Sequence, residues 1–232
     1  MAVVLRRGAD PKYWYTFQLE TFDPADDARI QAGGDWLHAE EIAYMEETED
    51  YKKLGFRMAE RPWRAEFLPQ KLQLSEGSDL PDFINAFPGC SNKYANGKMV
   101  SPRLKALIET HQTDEDGWQF FPVEILNKDG SALGTYYIWW VHKVVDGLDE
   151  SSEGVKSAGG GVLRAKHSRG SYAGKRSPER LRLHKSVVGG LSAWIDYRFF
   201  PDSKIFISDT LFQGMEEAGM TSFEAESVWS EV

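Results

Sequence analysis

The sequence predicts an α+β fold: a mixed, mainly antiparallel sheet with hairpins and a few packed helices. Three observations carry that prediction. Two β-rich runs, "QFFPVEIL" (119–126) and "GTYYIWWVHKV" (134–144), flank the turn-forming "NKDGSAL" and read as a hairpin. Two segments, "KMVSPRLKALIE" (98–109) and "KIFISDTLFQGMEEAG" (204–219), each pass from a short apolar strand through a Ser into helical spacing. The order of elements also leaves few of the strand–helix–strand crossovers that a parallel sheet needs.

Taken in order, "KYWYTFQL" (12–19) is rich in aromatic and β-favouring residues and reads as a first strand. From Asp35 to Leu54, the residues Leu37, Tyr44, Met45, Tyr51 and Leu54 line one side of an amphipathic helix. Seven acids occupy 35–50, and Lys52 and Lys53 close the segment, an order that suits the helix dipole. Residues 55–79 alternate weakly and contain Pro62 and Pro69, as short strands or extended loops do. "LPDFINAFPGC" (80–90), broken by Pro81 and Pro88, reads as a short helix or turn packed on the core. Ser101 caps the next helix and Pro102 takes its first position, with Leu104, Leu107 and Ile108 as the buried stripe. Beyond the hairpin, "VVDGLDESSEG" is a polar, turn-forming stretch. "RLRLH" (180–184), "SAWIDYRFF" (192–200) and "KIFIS" (204–208) are strands. "DTLFQGMEEAG" is a helix packing through Leu211, Phe212, Met215 and Ala218, and "TSFEAESVW" (221–229) is a last strand. The two strand–cap–helix units suggest two similar substructures on one sheet.

The 232 residues, 41% hydrophobic with eight Trp, are enough for a sizeable core. A net charge of −9 excludes a surface given over wholly to phosphate binding and suits a basic protein partner. The single Cys90 excludes an internal disulfide, as expected in a reducing compartment. The short apolar run before Arg6 and Arg7 resembles neither a signal nor a transit peptide, and no run approaches the ~20 apolar residues of a membrane helix. A soluble cytoplasmic protein is the expectation.

The segment 154–185 differs in kind. It holds nine Lys or Arg against the single acid Glu179, leaving 18 bases and 35 acids, a charge of −17, on the other 200 residues. Its Gly, Ser and Lys content predicts a mobile loop. Such a loop could fold back on the acidic 35–50 helix, meet a protein partner, or hold nucleic acid by phosphate contacts. No RNP or helix-turn-helix signature accompanies it, so the nucleic-acid role ranks last.

Catalytic patterns fail on spacing. "GSYAGKRS" (170–177) has only three residues between its glycines and Arg176 where a phosphate loop needs Ser or Thr. "AGGGVLRAKH" has Arg164 in the place of the third glycine of a dinucleotide fingerprint, and there is no G-x-S-x-G. His38 and Glu41 lie one helical turn apart, as metal-binding pairs can, but a solvated helix face explains them more often. "TDEDGW" (113–118) lacks the spaced ligands of a calcium loop and reads as an acidic turn. Cys90 has no base near it in sequence, only Lys93. No catalytic residue, metal or cofactor is expected.

Four blocks, "LPDFINAF" (80–87), "KMVSPRLKALIE", "WQFFPVEILNKDGSALGTYYIWWVHKVVDGLD" (118–149) and "KIFISDTLFQGMEEAGMTSFEAESVW", together resemble a bacterial family of immunity proteins. That family belongs to polymorphic toxin systems, was first catalogued as a domain of unknown function, and has a myxobacterial protein as its namesake. Its members look like "LPDF…(V)VSxRL…PVEL…YYLLNV…DALD…LFVSDxLxxAhxxAGLTGhxF". The likeness spans roughly residues 80–228. It implies that 80–232 is the family-like immunity domain, carrying a basic Gly-rich loop at 155–179 longer than the family's connection there. Residues 1–79 are then an N-terminal variable part of the same fold.

The resemblance further implies a protein that is not an enzyme. It would bind and neutralise a cognate toxin domain, a secreted effector of bacterial competition, by steric and electrostatic blocking in the cytoplasm. Acidic inhibitors pair well with basic toxins, nucleases especially. The candidate toxin-binding residues are the acids Glu40, Glu41, Glu46, Glu47, Glu49 and Asp50 and the bases Arg164, Lys166, Arg169, Lys175 and Arg176. The alternative left open is a nucleic-acid-binding protein acting through the basic loop 156–185.

Overall fold

The structure, a computed structural model, describes residues 1–7, 18–48, 60–76, 80–85, 88, 97–152, 155–157, 163–165, 182–196, 198 and 204–232. The first half of the chain contributes β1 (Ala2–Arg7), β2 (Gln18–Thr21), α1 (Pro24–Thr48), a 3₁₀ turn (Ala65–Phe67), β3 (Lys71–Glu76), β4 (Phe83–Ile84), β5 (Gly97–Val100) and α2 (Pro102–Thr110). The hairpin follows as β6 (Trp118–Leu126) and β7 (Ala132–Val141), then β8 (Val144–Val145), β9 (Val155–Ser157) and β10 (Leu163–Ala165). The last elements are β11 (Arg182–Leu183), the single turn α3 (Lys185–Val188), β12 (Ala193–Asp196), β13 (Phe206–Ser208), α4 (Asp209–Glu217) and β14 (Phe223–Glu231).

These strands build two six-stranded sheets and a two-stranded ladder. One sheet runs β11-β14-β1-β13-β12-β8 and the other β2-β3-β6-β7-β5-β4. Most neighbours are antiparallel; β11–β14, β12–β8 and β3–β6 are parallel. The expected α+β class, mixed and mainly antiparallel, is what the chain adopts. The hairpin pairs over its whole length, from Trp118 opposite Val141 to Leu126 opposite Ala132.

The expected caps are in place in both strand–helix units. Ser101 Oγ accepts from Leu104 N at 3.1 Å, and Ser208 Oγ accepts from Leu211 N at 3.2 Å. The units do not share a sheet, however: β5 lies in one and β13 in the other. Helices α2 and α4 meet in the core where the sheets converge, and there Leu104 and Ile108 join Leu211, Phe212 and Met215. Ala218, expected in that packing face, is exposed because the helix ends at Glu217.

Other elements depart from the sequence reading. Strand β1 was not expected, because "AVVL" is apolar without alternation. The reason is burial on both faces: Val3 and Leu5 enter the central core, while Ala2 and Val4 face the outer core of that sheet. Helix α1 starts at Pro24 rather than Asp35, and residues 49–54 of the expected helix lie outside the described residues. Residues 83 and 84 are a strand, not a helix, because pairing with Val100 and Met99 gives their backbone a ladder. Of the expected 12–19 strand only 18–19 are described, within β2. Within the basic segment, β9 and β10 pair antiparallel, with Arg164 opposite Lys156.

Each sheet is covered on both sides. On the hairpin sheet, Trp139 and Val141 face the central core, while Ile138, Trp140, Val123 and Ile125 face α1 and the 3₁₀ turn. A fully buried aromatic removes about 150–250 Å² from water, worth roughly 4–6 kcal/mol before conformational entropy is set against it. Trp139 and Trp194, each 1% exposed, contribute on this scale to different cores.

Candidate interaction surface

Helix α1 lies against the outer face of the hairpin sheet and is held there at two places. Near its start, Asp26 is 1% exposed and accepts from Gln70 N at 3.0 Å, Lys71 N at 3.1 Å and Arg29 Nη1 at 2.6 Å. One carboxylate therefore ties the first helical turn to the start of β3. Further along, Gly33 passes so close to the 3₁₀ turn that a Cβ there would come within 2.8 Å of Phe67 Cβ. Trp36 and Leu37 continue the contact, Trp36 meeting Trp63 edge-on at 5.5 Å.

The rest of α1 faces outward. Asp27, Asp35, Glu46 and Glu47 are exposed, as is His38. Glu40 is half-buried and paired with Arg61, and Glu41 is half-buried. The four described candidate acids thus divide: Glu46 and Glu47 stand on the outer face, whereas Glu40 is engaged by the fold. Glu49, Asp50, Lys166, Arg169, Lys175 and Arg176 lie outside the described residues, and Arg164 is placed by its backbone alone. Among the described residues no group of three or more His, Cys, Asp or Glu is placed to hold a metal, and no helix is long and apolar enough to cross a membrane.

Beside the 3₁₀ turn is a cleft of about 390 Å³ between the 65–70 segment and the hairpin. The β3–β6 ladder covers only Lys71–Gln73 against Glu124–Leu126. Pro69 and Pro122, one on each wall, have no N–H with which to extend it. At the rim, Glu124 accepts from Lys71 Nζ at 2.9 Å. That hydrogen bond and the charges of Glu124, Asp26 and Asp23 hold the Lys71 ammonium above its usual range.

The residues of the family-like blocks converge elsewhere, on Asp82. Its carboxylate accepts from Ser101 Oγ at 2.6 Å, Arg103 Nη2 at 3.0 Å, Thr221 N at 3.0 Å and Thr221 Oγ1 at 3.1 Å. Asp82 N in turn donates to Thr221 Oγ1 at 2.9 Å. "LPDF", "SPRL" and "AGMT" thus meet at one clasp that joins the hairpin sheet to the loop before β14 of the other sheet. The acidic turn forms a second tie: Asp116 accepts from Ser192 N at 2.7 Å, just ahead of β12. Asp82 and Asp116 are carboxylates used as backbone and hydroxyl acceptors, which is shape rather than chemistry. The signal for Asp82 was its place in the first family-like block; nothing in the sequence pointed to its partners.

The basic segment is rooted in a third polar cluster. Arg182 Nη2 pairs with Asp149 at 2.9 Å, and Arg182 N donates to Ser152 Oγ at 3.0 Å, so the two ends of the segment are joined. Hydrogen bonds from Ser151 hold the Asp149 carboxyl below its usual range. Arg198 bridges Asp146, at 2.5 Å, and Glu150, at 2.8 Å. Beneath them Asp196 is 0% exposed, and burial pushes its carboxyl up to about 7 despite bonds accepted from Arg198 N and Gly147 N.

Compared with known proteins, residues 44–229 match the immunity protein family Imm11, while no curated protein matches the chain. The match takes in the last five residues of α1, with Glu46 and Glu47, the cleft, the Asp82 clasp and the root of the basic segment.

Proposed function

The chain belongs to the immunity protein family Imm11, and from that premise we propose that it binds one cognate toxin domain and neutralises it by covering it, with no chemistry of its own. The observation that carries the reading is the outward face of α1, where Asp27, Asp35, Glu46 and Glu47 stand exposed while Asp26, Gly33 and Leu37 hold the helix to the sheet. A rigid helix presenting carboxylates gives a basic toxin surface a complementary field, which raises the association rate and favours the right partner over others. A nuclease is the toxin class whose active surface best fits such a field, and the cytoplasm is where the encounter takes place. The carboxylates of Asp26, Asp82 and Asp116 act as acceptors that hold backbone together, which supports inhibition by contact.

Co-expression with the toxin domain encoded beside it is the test. Protected cells and a complex that co-purifies are expected; cells that die at the unprotected rate, with no complex recovered, would overturn the proposal. Reversing Asp35, Glu46 and Glu47 to Lys should slow association and flatten its salt dependence.

A second reading rests on the β9–β10 ladder, where Lys156 and Arg164 stand opposite each other in register. The nine Lys and Arg of 154–185 are the charge that would make phosphate contacts there. Retention on heparin that is lost when 156–176 is deleted supports this reading, and indifference to the deletion refutes it.

A further inference from the structure

We propose that the cleft beside the 3₁₀ turn is an anchor site that takes one lysine or arginine side chain of the toxin. The proposal rests on the toxin-binding reading above and names one contact within it. The cleft's walls are apolar, formed by Leu68, Pro69, Phe121 and Pro122, and its polar groups are Gln70, Glu124 and Thr135. That combination matches a long basic side chain, whose methylene stem packs on apolar surface while its charged head reaches a carboxylate. An apolar side chain would draw nothing from Glu124, which would stay with Lys71, and an acidic one would meet the carboxylate with like charge.

The rim already stabilises a cation. Glu124, with Asp26 and Asp23 behind it, acts on the Lys71 ammonium, and Glu124 remains 41% exposed after pairing with it. A second cation entering the cleft would compete with Lys71 for the same carboxylate. The two prolines matter as well. Neither wall offers an N–H at Pro69 or Pro122, so a partner strand cannot extend the ladder, and a side chain is the group that can enter. The cleft lies beside the 3₁₀ turn, against which α1 packs through Gly33 and Trp36.

The competition gives the test its signature, because two neighbouring substitutions should act with opposite sign. Affinity for the toxin domain encoded beside the gene is measured by titration calorimetry for the native protein and three exposed-position variants. Glu124→Gln should weaken binding about tenfold, since it removes the acceptor and leaves Lys71 to repel the incoming charge. Lys71→Met should tighten binding roughly threefold by removing the competitor. Thr135→Arg should weaken it about tenfold by placing a basic side chain in the cleft. Each variant is checked by thermal melting, which should stay near native. Native binding with all three variants within about twofold of it would overturn the anchor while leaving the toxin-binding reading standing. Failure of the native protein itself to bind overturns both.

Discussion

Replacing Asp82 with Ala should separate the two sheets energetically. The side chain accepts four hydrogen bonds, from Ser101 Oγ and Arg103 Nη2 just beyond β5 and from Thr221 N and Thr221 Oγ1 ahead of β14. The Arg103 bond carries little, because that side chain is 57% exposed and water can replace the carboxylate. Thr221 N and Ser101 Oγ are part-buried, and each donor left without an acceptor costs about 1–1.5 kcal/mol. With the Thr221 hydroxyl added, the loss comes to about 3 kcal/mol. For a chain of this length that lowers the melting temperature by roughly 6–12 °C.

Urea denaturation followed by tryptophan fluorescence measures the loss directly. A double-mutant cycle with Thr221→Val isolates the link between the sheets, and a coupling of about 1 kcal/mol is expected. Coupling within about 0.3 kcal/mol of zero would refute the part of the clasp carried by the Thr221 hydroxyl, because it would mean that this group and the Asp82 carboxylate stabilise the fold independently although they bond each other.

Two further substitutions test local physics. Ser222 has φ of 64°, in the left-handed region, and its buried hydroxyl has no hydrogen-bond partner among the described residues. The family-like pattern "AGLTG" carries Gly at this place, and Ser222→Gly should stabilise the protein by about 1 kcal/mol, read as a higher urea midpoint. Asp196 sets a pH dependence. Its folded carboxyl titrates near 7, above the ordinary carboxylate range, so the folded state holds the proton more tightly than the unfolded chain. This group's contribution is therefore fully present below about pH 4 and is lost as pH rises through 7. Asp196→Asn removes that slope, so between pH 5 and 8 the native protein should lose on the order of 3 kcal/mol relative to the variant. Parallel stability profiles for the two would refute the assignment.

How much of this was legible in the sequence depends on the distance over which each feature is decided. The hairpin, the two Ser caps and the apolar stripes of α2 and α4 follow from residues three or four apart, or from strands joined by one short turn. Local hydrogen bonding and side-chain periodicity are enough to specify them. The crowding of acids along α1 was equally visible, although which of them face outward was not.

Features set by distant partners were not visible. The start of α1 does carry a local signal that the sequence reading missed, Asp23 ahead of Pro24, whose Oδ1 accepts from Ala25 N. Its seating on the sheet, by contrast, depends on Asp26 reaching Gln70 and Lys71; Gly33 and Gly34, which lower helix propensity, are tolerated because Gly33 packs against Phe67. Strand β1 lacks alternation because both its faces are buried, and only assembly of the sheet supplies two apolar sides. The clasp joins residues 139 positions apart, and the cleft is lined by two segments, 65–70 and the hairpin, that are distant in sequence. From the sequence alone came the α+β class, the capped units, the charge segregation and the likeness to immunity proteins. Tertiary structure decided that the two units lie on separate sheets, that Glu40 serves the fold while Glu46 and Glu47 face out, and that Asp82 ties the halves together. Hydrogen bonds and packing between distant segments form only once the chain has closed its loops, and no local pattern encodes which partners will meet.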